Sequence, residues 1–422
     1  MRRDGILCSA FKLATLTLCA MFALAGTVLA QEAGGDLGGG AGIFRPRNPE
    51  TKRRSTTGGR TPTTSGRTSG RTNSGTGRPA ALPPEVIEER FEDALDAGNS
   101  ARDARKYAEA EKAYRDAGQL KPKDWRGWYG LGNVYTDQQR WDDAEKAYLP
   151  AANYAPQNAD IFIALSFVQV QPHTGGANAK RLADAETNAR RAIQIESTNA
   201  LAYDRLGAAL EERGASVADT EQAYRRAIEL NAQFAVPYVH LARLLRKNGR
   251  ASEAEPLYNR AIEMAKDAPT LVLIADALQS EQRWNDSETV LQHALQMDAR
   301  NPSALFLYGK SLVVRKRYDE AEEKLKQTIE ISPRSFQPYY ILGSTYLRMD
   351  RLEDAEKTYN RGADVANAGE RKQLGGAFGF EGVGDGYMKM NRASDALRAY
   401  QRAQALDPTN NSLQAKIASA RK

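Results

Sequence analysis

The strongest constraint on this sequence is a repeat: small residues recur along most of the chain at intervals of about 34 residues. Each of these small residues lies near the end of one repeat. A repeat consists of an apolar stripe, a short polar turn and a second apolar stripe. The clearest copy runs from Trp128 to Pro156 and reads WYGLGNVYTDQQRWDDAEKAYLPAANYAP. Stripes with helical spacing predict two antiparallel helices, and so small a pair cannot bury its apolar faces alone. The pairs must therefore stack on copies of themselves.

The repeat can be followed through nine copies by the small residue near the end of the second helix. A tyrosine two turns into that helix recurs in six of them, and Leu291 and Leu325 replace it in two others. The nine marker residues are Ala117, Ala151, Ala192, Ala227, Ala261, Ala294, Thr328, Gly362 and Ala403.

The stretch from Trp128 to Pro156 resembles a tetratricopeptide repeat. It has Trp, Leu-Gly, Tyr, Ala, an aromatic residue, Ala and Pro in the order of that family's pattern. The resemblance implies an all-α, right-handed superhelical solenoid of about nine helix-turn-helix repeats over residues 84–410, preceded by a disordered N-terminal tail. A capping helix over residues 411–422 would shield the last apolar face.

Residues 1–30 have the pattern of a secretory signal peptide. Arg2 and Arg3 form a basic start, residues 13–25 form an apolar core, and the small residues Val28 and Ala30 predict cleavage before Gln31. We expect an exported protein of the periplasm or cell envelope. The alternative is an uncleaved anchor, since residues 13–30 are of borderline length for a membrane span.

Residues 31–83 are rich in Gly, Ser, Thr and Arg and carry a net charge of about +6, which predicts a disordered basic linker. The remainder from residue 84 carries about −2. The tail is interpreted either as a spacer or as a weak electrostatic arm for an anionic surface. Aromatic residues do not alternate with its arginines, so nucleic-acid binding is not expected.

Nothing in the sequence indicates an enzyme. The two cysteines, Cys8 and Cys19, lie in the signal segment, and the three histidines fall in different repeats, so we expect no metal site. The glycines at residues 382–386 have neither the spacing nor the preceding strand of a nucleotide-binding loop. We therefore predict no catalytic, metal or cofactor site.

The family resemblance implies that the first helices line a concave surface that binds a peptide. Tyr129, Phe167, Phe306 and Tyr340 are expected as exposed aromatic anchors there, unless neighbouring helices cover them. Asn133 matches the asparagine with which many family members hold the ligand backbone. Arg243, Arg246 and Lys247 predict a basic spot for an acidic peptide. The predicted partner-binding residues are Tyr129, Asn133, Phe167, Arg243, Arg246, Phe306, Lys310 and Tyr340.

Some family members bind a C-terminal carboxylate through a clamp of Lys, Asn and Arg. Tyr129, Asp160 and Ala164 stand at clamp positions here, which argues against that ligand. The sequence thus predicts a non-catalytic scaffold that binds a protein or peptide. The alternative is a structural adaptor tethered to an anionic membrane or envelope polymer through the basic tail.

Overall fold

The computed structural model describes residues 46–52, 82–173 and 178–422, and within these ranges the regular structure is entirely helical. The signal-peptide prediction and most of the predicted linker lie outside the described residues. The helices are Pro84–Asp103 (α1), Tyr107–Leu120 (α2), Trp125–Asp137 (α3), Trp141–Tyr154 (α4), Ala159–Gln169 (α5), Ala179–Ile195 (α6), Ala200–Arg213 (α7), Val217–Leu230 (α8), Ala235–Lys247 (α9), Ala251–Met264 (α10), Ala268–Ser280 (α11), Trp284–Met297 (α12), Pro302–Val314 (α13), Tyr318–Ile331 (α14), Phe336–Arg348 (α15), Leu352–Val365 (α16), Ala368–Leu374 (α17), Phe380–Lys389 (α18), Ala393–Leu406 (α19) and Ser412–Ala420 (α20).

The predicted helix pairs are confirmed: α1 to α16 form eight consecutive pairs, and α18 and α19 form a ninth. Most of the turns within pairs share one geometry. A residue with positive φ, such as Gln139 at 58°, reverses the chain. An arginine then precedes the second helix and pairs with an acid three residues later, as Arg140 Nη2 does with Asp143 Oδ2 at 2.7 Å. The acid also lies in the first turn of the second helix, where its negative charge interacts favourably with the positive end of the helix dipole.

Close contact within a pair depends on a glycine facing a tyrosine. A Cβ placed on Gly343 of α15 would lie 2.3 Å from the ring of Tyr359 in α16. The ring is fully buried, so it fills the space that the glycine leaves. Tyr359 also stacks near Tyr340 and Phe380, with ring centroids 6.3 Å and 5.7 Å away. The repeated tyrosine of the sequence is therefore the core of each pair that has it.

The chain divides into two compact units, with the boundary inside α8. The N-terminal unit ends at Ala223 and includes the described residues from Pro46 onward. The C-terminal unit begins at Tyr224 and contains a continuous apolar core that extends to Ala420 in α20.

Two local features differ from simple repetition. The glycine-rich stretch forms a short α17 and then α18, where Gly384 lets Tyr400 approach: a Cβ there would lie 2.4 Å from its ring. The side chain of His173, on the enlarged turn after α5, is only 1% exposed and contacts Asp142 at 2.9 Å, so it is not a solvated loop residue. None of the described helices is both long and apolar enough to cross a membrane.

Candidate functional site

A short extended stretch, residues 46–52, lies along α1 within the N-terminal unit. At its start, Arg102 Nη1 near the end of α1 donates to the Pro46 carbonyl at 2.7 Å. At its end, Lys52 Nζ donates to Glu88 Oε1, near the beginning of α1, at 2.9 Å. The stretch therefore runs antiparallel to α1. We call residues 46–52 the docked segment, and the surface of α1 and α3 that contacts it the groove.

The groove holds the docked segment mainly by its backbone. Four side chains of α1 and α3 donate hydrogen bonds to four main-chain carbonyls. Such contacts select an extended conformation rather than particular side chains, because every peptide has carbonyls. The four contacts are Arg102 Nη1 to Pro46 O (2.7 Å), Asn133 Nδ2 to Arg47 O (2.8 Å), Asn99 Nδ2 to Pro49 O (3.0 Å) and Arg126 Nη1 to Glu50 O (3.2 Å).

The orientation of Asn133 is set by its neighbours in the helix pair. Gly132 lets the Tyr148 ring lie against α3, since a Cβ there would be 2.5 Å from the ring. The Tyr148 hydroxyl then donates to Asn133 Oδ1 at 2.8 Å. Thr136 Oγ1, 3.0 Å from the same hydroxyl, must be the donor in that contact, because the hydroxyl has one proton. With Oδ1 engaged, Nδ2 is directed at the docked segment.

The first repeat has the same arrangement. Asn99 follows Gly98, and the Tyr114 hydroxyl donates to Asn99 Oδ1 at 2.7 Å. A Cβ on Gly98 would lie 2.7 Å from the Tyr114 ring. Two asparagines one repeat apart thus hold carbonyls two residues apart, a spacing of roughly 7 Å in an extended chain. We call Asn99 and Asn133 the asparagine clamp.

Side chains of the docked segment add contacts that a generic peptide lacks. Asn48 Oδ1 accepts from Arg102 Nη1 at 2.9 Å, and Asn48 Nδ2 donates to Asp103 Oδ2 at 3.1 Å. Pro46 and Pro49 are buried. Hydrogen bonds from Lys121 and Lys52 lower the pKa of Glu88 to about 2, so this carboxylate stays charged at any physiological pH.

Arg102 links the groove to the helix packing beneath it. Its side chain is 1% exposed, and its Nε and Nη2 donate to Asp137 Oδ2 and Oδ1 at 2.7 Å and 2.9 Å. Asp137 is the last residue of α3, so the ion pair ties α1 to α3. The remaining nitrogen, Nη1, faces the docked segment. A buried guanidinium with all three nitrogens bonded is stable, whereas removing one partner is costly.

We expect Tyr148→Phe to loosen the docked segment without unfolding the pair. The ring would still fill its site, but Asn133 would lose the hydroxyl that orients its amide. Trypsin cleaves after Arg47 only when the segment is undocked, so the cleavage rate reports the undocked population. Loss of about 1 kcal/mol predicts roughly fivefold faster cleavage, followed by mass spectrometry. Tyr154→Phe, at an exposed tyrosine of α4, is the control, and equal rates in both variants would contradict the orienting role.

The predicted aromatic anchors are not exposed, and that expectation is wrong. Tyr129, Phe167, Phe306 and Tyr340 have only 3%, 3%, 2% and 9% of their surfaces exposed. The reason is close stacking of aromatic neighbours: the Tyr129 ring lies 5.7 Å from those of both Trp125 and Tyr148. These four side chains therefore pack inside the repeats. A role for them in contact with a partner stays a prediction.

Family comparisons agree with this architecture. Residues 95–159 and residues 235–267 match models described as tetratricopeptide repeat. Residues 281–362 match a model described as anaphase-promoting complex, cyclosome, subunit 3. The helix pairs within residues 95–159 and 235–267 are therefore tetratricopeptide repeats, and the other pairs repeat their helix-turn-helix form. No curated protein sequence matches the chain significantly.

Solved structures of tetratricopeptide-repeat type are similar to the chain at low sequence identity. Yeast Tom70 is 14% identical, covers 82% of this chain and 70% of its own, and has a TM-score of 0.53, which indicates a shared fold. MamA is 20% identical over 42% of this chain and 92% of its own, with a TM-score of 0.36. YrrB, described as a TPR protein with an unusual peptide-binding site, is 19% identical over 48% and 100%, with a TM-score of 0.37.

In the C-terminal unit, three successive positions that correspond to the asparagine clamp carry charges. Arg243, Asp276 and Lys310 each follow the small residue of a first helix, as Asn133 follows Gly132. Burial raises the pKa of the Asp276 carboxyl, and Lys310 and Arg243 oppose that rise. Burial also lowers the pKa of the Lys310 ammonium, opposed by Asp276. These three helix pairs therefore carry alternating charges at the positions where the first two pairs carry amides.

We expect Lys310→Met to raise the pKa of Asp276 further, because only Arg243 would remain to oppose burial. Because burial favours the neutral form of the Asp276 carboxyl, this group contributes to the free energy of unfolding at low pH, where it is protonated. That contribution is lost as the pH rises through the folded-state pKa, which the variant moves upward. Carbon NMR of the Asp276 carboxyl measures the shift. Lys247→Met, at an exposed lysine of α9, should leave it unchanged, and an unchanged pKa in both variants would contradict the pairing.

The predicted basic spot at Arg243 and Arg246 is not a free positive patch. Arg246 Nε pairs with Glu281 Oε2 at 2.8 Å, and the charge of Arg243 opposes the rise that burial causes in the pKa of the Asp276 carboxyl. Acidic residues of the next repeat therefore offset both arginines. An acidic peptide would have to compete with these internal partners, which weakens the case for that ligand class in the C-terminal unit.

The last helix pair, α18 and α19, shows how a clamp position is closed. Asp385 follows Gly384, and the Tyr400 hydroxyl donates to Asp385 Oδ1 at 2.7 Å, as the earlier tyrosines do to asparagine. Lys416 of α20 donates to the same carboxylate at 2.8 Å and 2.7 Å. The capping helix thus supplies a cation where the first repeats hold the docked segment.

The sequence prediction identified Asn133 but missed Asn99, Arg102, Arg126 and the docked segment. The pair Gly98-Asn99 repeats Gly132-Asn133 at an interval of 34 residues, so extending the register by one repeat would have found Asn99. Residues 46–52 were assigned to the disordered tail, and for them that assignment is wrong. Their composition gives no signal, because main-chain contacts depend on the shape of the groove.

Proposed function

We propose that this chain is a non-catalytic scaffold that binds an extended segment of a partner protein on the first-helix faces of its tetratricopeptide repeats. The observation that carries the proposal is the asparagine clamp: Asn99 and Asn133 donate to alternate carbonyls of an extended segment at 3.0 Å and 2.8 Å. Each asparagine is fixed by a buried tyrosine, so the donors are in place before a ligand arrives.

Selection of displayed random peptides on the immobilised full chain tests this function. Binding peptides should lose most of their affinity for a variant carrying Asn99→Ala and Asn133→Ala. Loss of two net hydrogen bonds predicts a decrease of about 30-fold. Asn153→Ala, at an exposed asparagine of α4, should leave the affinity unchanged. A selection that yields no peptides, or only peptides bound equally by all variants, would contradict a groove-binding scaffold.

We further propose that the protein is exported to the periplasm or cell envelope. Support comes from the basic start, apolar core and small-residue exit of residues 1–30. Expression of the full-length gene in a Gram-negative bacterium, followed by N-terminal sequencing of the fractionated protein, tests this localisation. The expected mature N-terminus is Gln31 in an envelope fraction. A cytosolic protein that retains its first 30 residues would refute export.

The alternative function is a structural adaptor whose basic tail binds an anionic membrane or envelope polymer. It is favoured by the net charge of about +6 on residues 31–83. Sedimentation with vesicles of anionic phospholipid separates the two functions. Replacing the tail arginines with glutamine should abolish sedimentation if the adaptor function holds, while peptide binding in the groove remains. Vesicle binding that never exceeds that of neutral vesicles would eliminate the adaptor.

A further inference from the structure

The docked segment contacts the groove in the way that a bound peptide would. It is extended and accepts hydrogen bonds through four of its carbonyls, and its asparagine and lysine side chains reach acidic residues of α1. It also carries two buried prolines. Because proline restricts the backbone to extended angles, such a segment loses less entropy on binding. The groove is therefore already occupied by a well-matched ligand.

We propose that residues 46–52 are an internal ligand of the groove. On this proposal a partner binds there by displacing them, and its peptide matches the pattern Pro-x-Asn-Pro-x-x-Lys. This proposal rests on the peptide-binding function proposed above. The pattern follows from the contacts: the two prolines occupy buried positions, the asparagine pairs with Arg102 and Asp103, and the lysine pairs with Glu88. Between them, Arg47 and Glu50 expose their side chains and contribute carbonyls.

Covalent attachment makes the internal ligand a strong competitor. A tethered segment has an effective concentration on the order of 1 mM at its own site. A free peptide of the same sequence with a dissociation constant of about 100 µM would therefore find roughly ten of eleven grooves occupied. A partner peptide would therefore bind the unaltered chain about tenfold more weakly than it binds an empty groove.

Fluorescence anisotropy with a labelled synthetic peptide of residues 44–54 tests the proposal on the full chain. In the emptied variant, Asn48→Ala, Pro49→Ala and Lys52→Ala remove the side-chain contacts of these three residues. We expect the peptide to bind this variant about tenfold more tightly than the unaltered chain. Adding Asn133→Ala to the emptied variant should remove most of that gain. Glu50→Ala, whose exposed side chain leaves the carbonyl in place, should match the unaltered chain.

Equal affinity for the unaltered chain and the emptied variant would overturn the proposal, as would binding to neither. If the random-peptide selection succeeds in that case, the scaffold function survives and only the internal ligand fails. Sedimentation equilibrium addresses exchange between copies. A chain that is monomeric at micromolar concentration supports an internal ligand. A dimer that the emptied variant converts to monomer would show that the segment occupies the groove of a second copy, which overturns the proposal.

Discussion

Replacing Arg102 with leucine should cost the N-terminal unit about 3–5 kcal/mol in free energy of unfolding. The guanidinium is buried and neutralises Asp137, whose side chain is only 8% exposed. Without it, the buried carboxylate would lose the guanidinium that neutralises it, which is among the more costly single changes in a folded protein. Urea unfolding followed by circular dichroism measures the loss.

A second variant separates the ion pair from general packing. Changing Arg102 and Asp137 to leucine together removes both charges, so most of the penalty should be recovered. Both variants lose the hydrogen bonds to Pro46 and Asn48, so their docked segments should be equally accessible to trypsin. A double variant no more stable than the single one would contradict the assignment of the penalty to an unpaired buried charge.

Tyr359→Ala should destabilise the C-terminal unit by about 3–5 kcal/mol, the usual cost of deleting a buried aromatic ring. The ring fills the space beside Gly343, stacks near Tyr340 and Phe380, and its hydroxyl contacts the Phe378 carbonyl at 2.5 Å. Hydrogen exchange should increase most in α15, α16 and α18, which contact the ring.

Two further variants at this position act as controls. Tyr359→Phe removes only the hydroxyl and should cost about 1 kcal/mol. Tyr359→Leu should cost less than the alanine variant, because Leu325 occupies the equivalent position in the preceding repeat, where a Cβ on Gly309 would lie 2.9 Å from it. If alanine and phenylalanine had equal effects, the tyrosine would not be the core of the pair.

The sequence predicted the fold well because the fold depends on local, repeated features. Glycine, alanine and tyrosine at fixed spacing dictate how two helices meet, and the period of about 34 residues transfers that geometry from repeat to repeat. Even the glycine-rich stretch follows the rule, since Gly384 faces Tyr400 as Gly132 faces Tyr148.

The site was predicted less well, for physical reasons that differ between residues. A first-helix position such as Phe306 can face solvent or a neighbouring helix, and only the distance between stacked repeats decides which. Arg246 looked like a free charge because its partner, Glu281, lies in the next repeat. Asn133 was found because its role depends on a local register. The docked segment could not be predicted from the sequence, because its binding depends on carbonyls, which every residue possesses.

We propose that the groove recognises the backbone of an extended peptide through the asparagine clamp. A single thioamide in the peptide of residues 44–54 tests it most directly, with the emptied variant as the receptor. Sulfur at the Arg47 carbonyl, which accepts from Asn133 Nδ2 at 2.8 Å, should weaken binding about fivefold, because sulfur is the poorer acceptor. Sulfur at the Asn48 carbonyl, which precedes Pro49 and so forms no thioamide N–H, should leave the affinity unchanged. Equal affinities for both thioamide peptides and the unmodified peptide would contradict backbone recognition at the clamp.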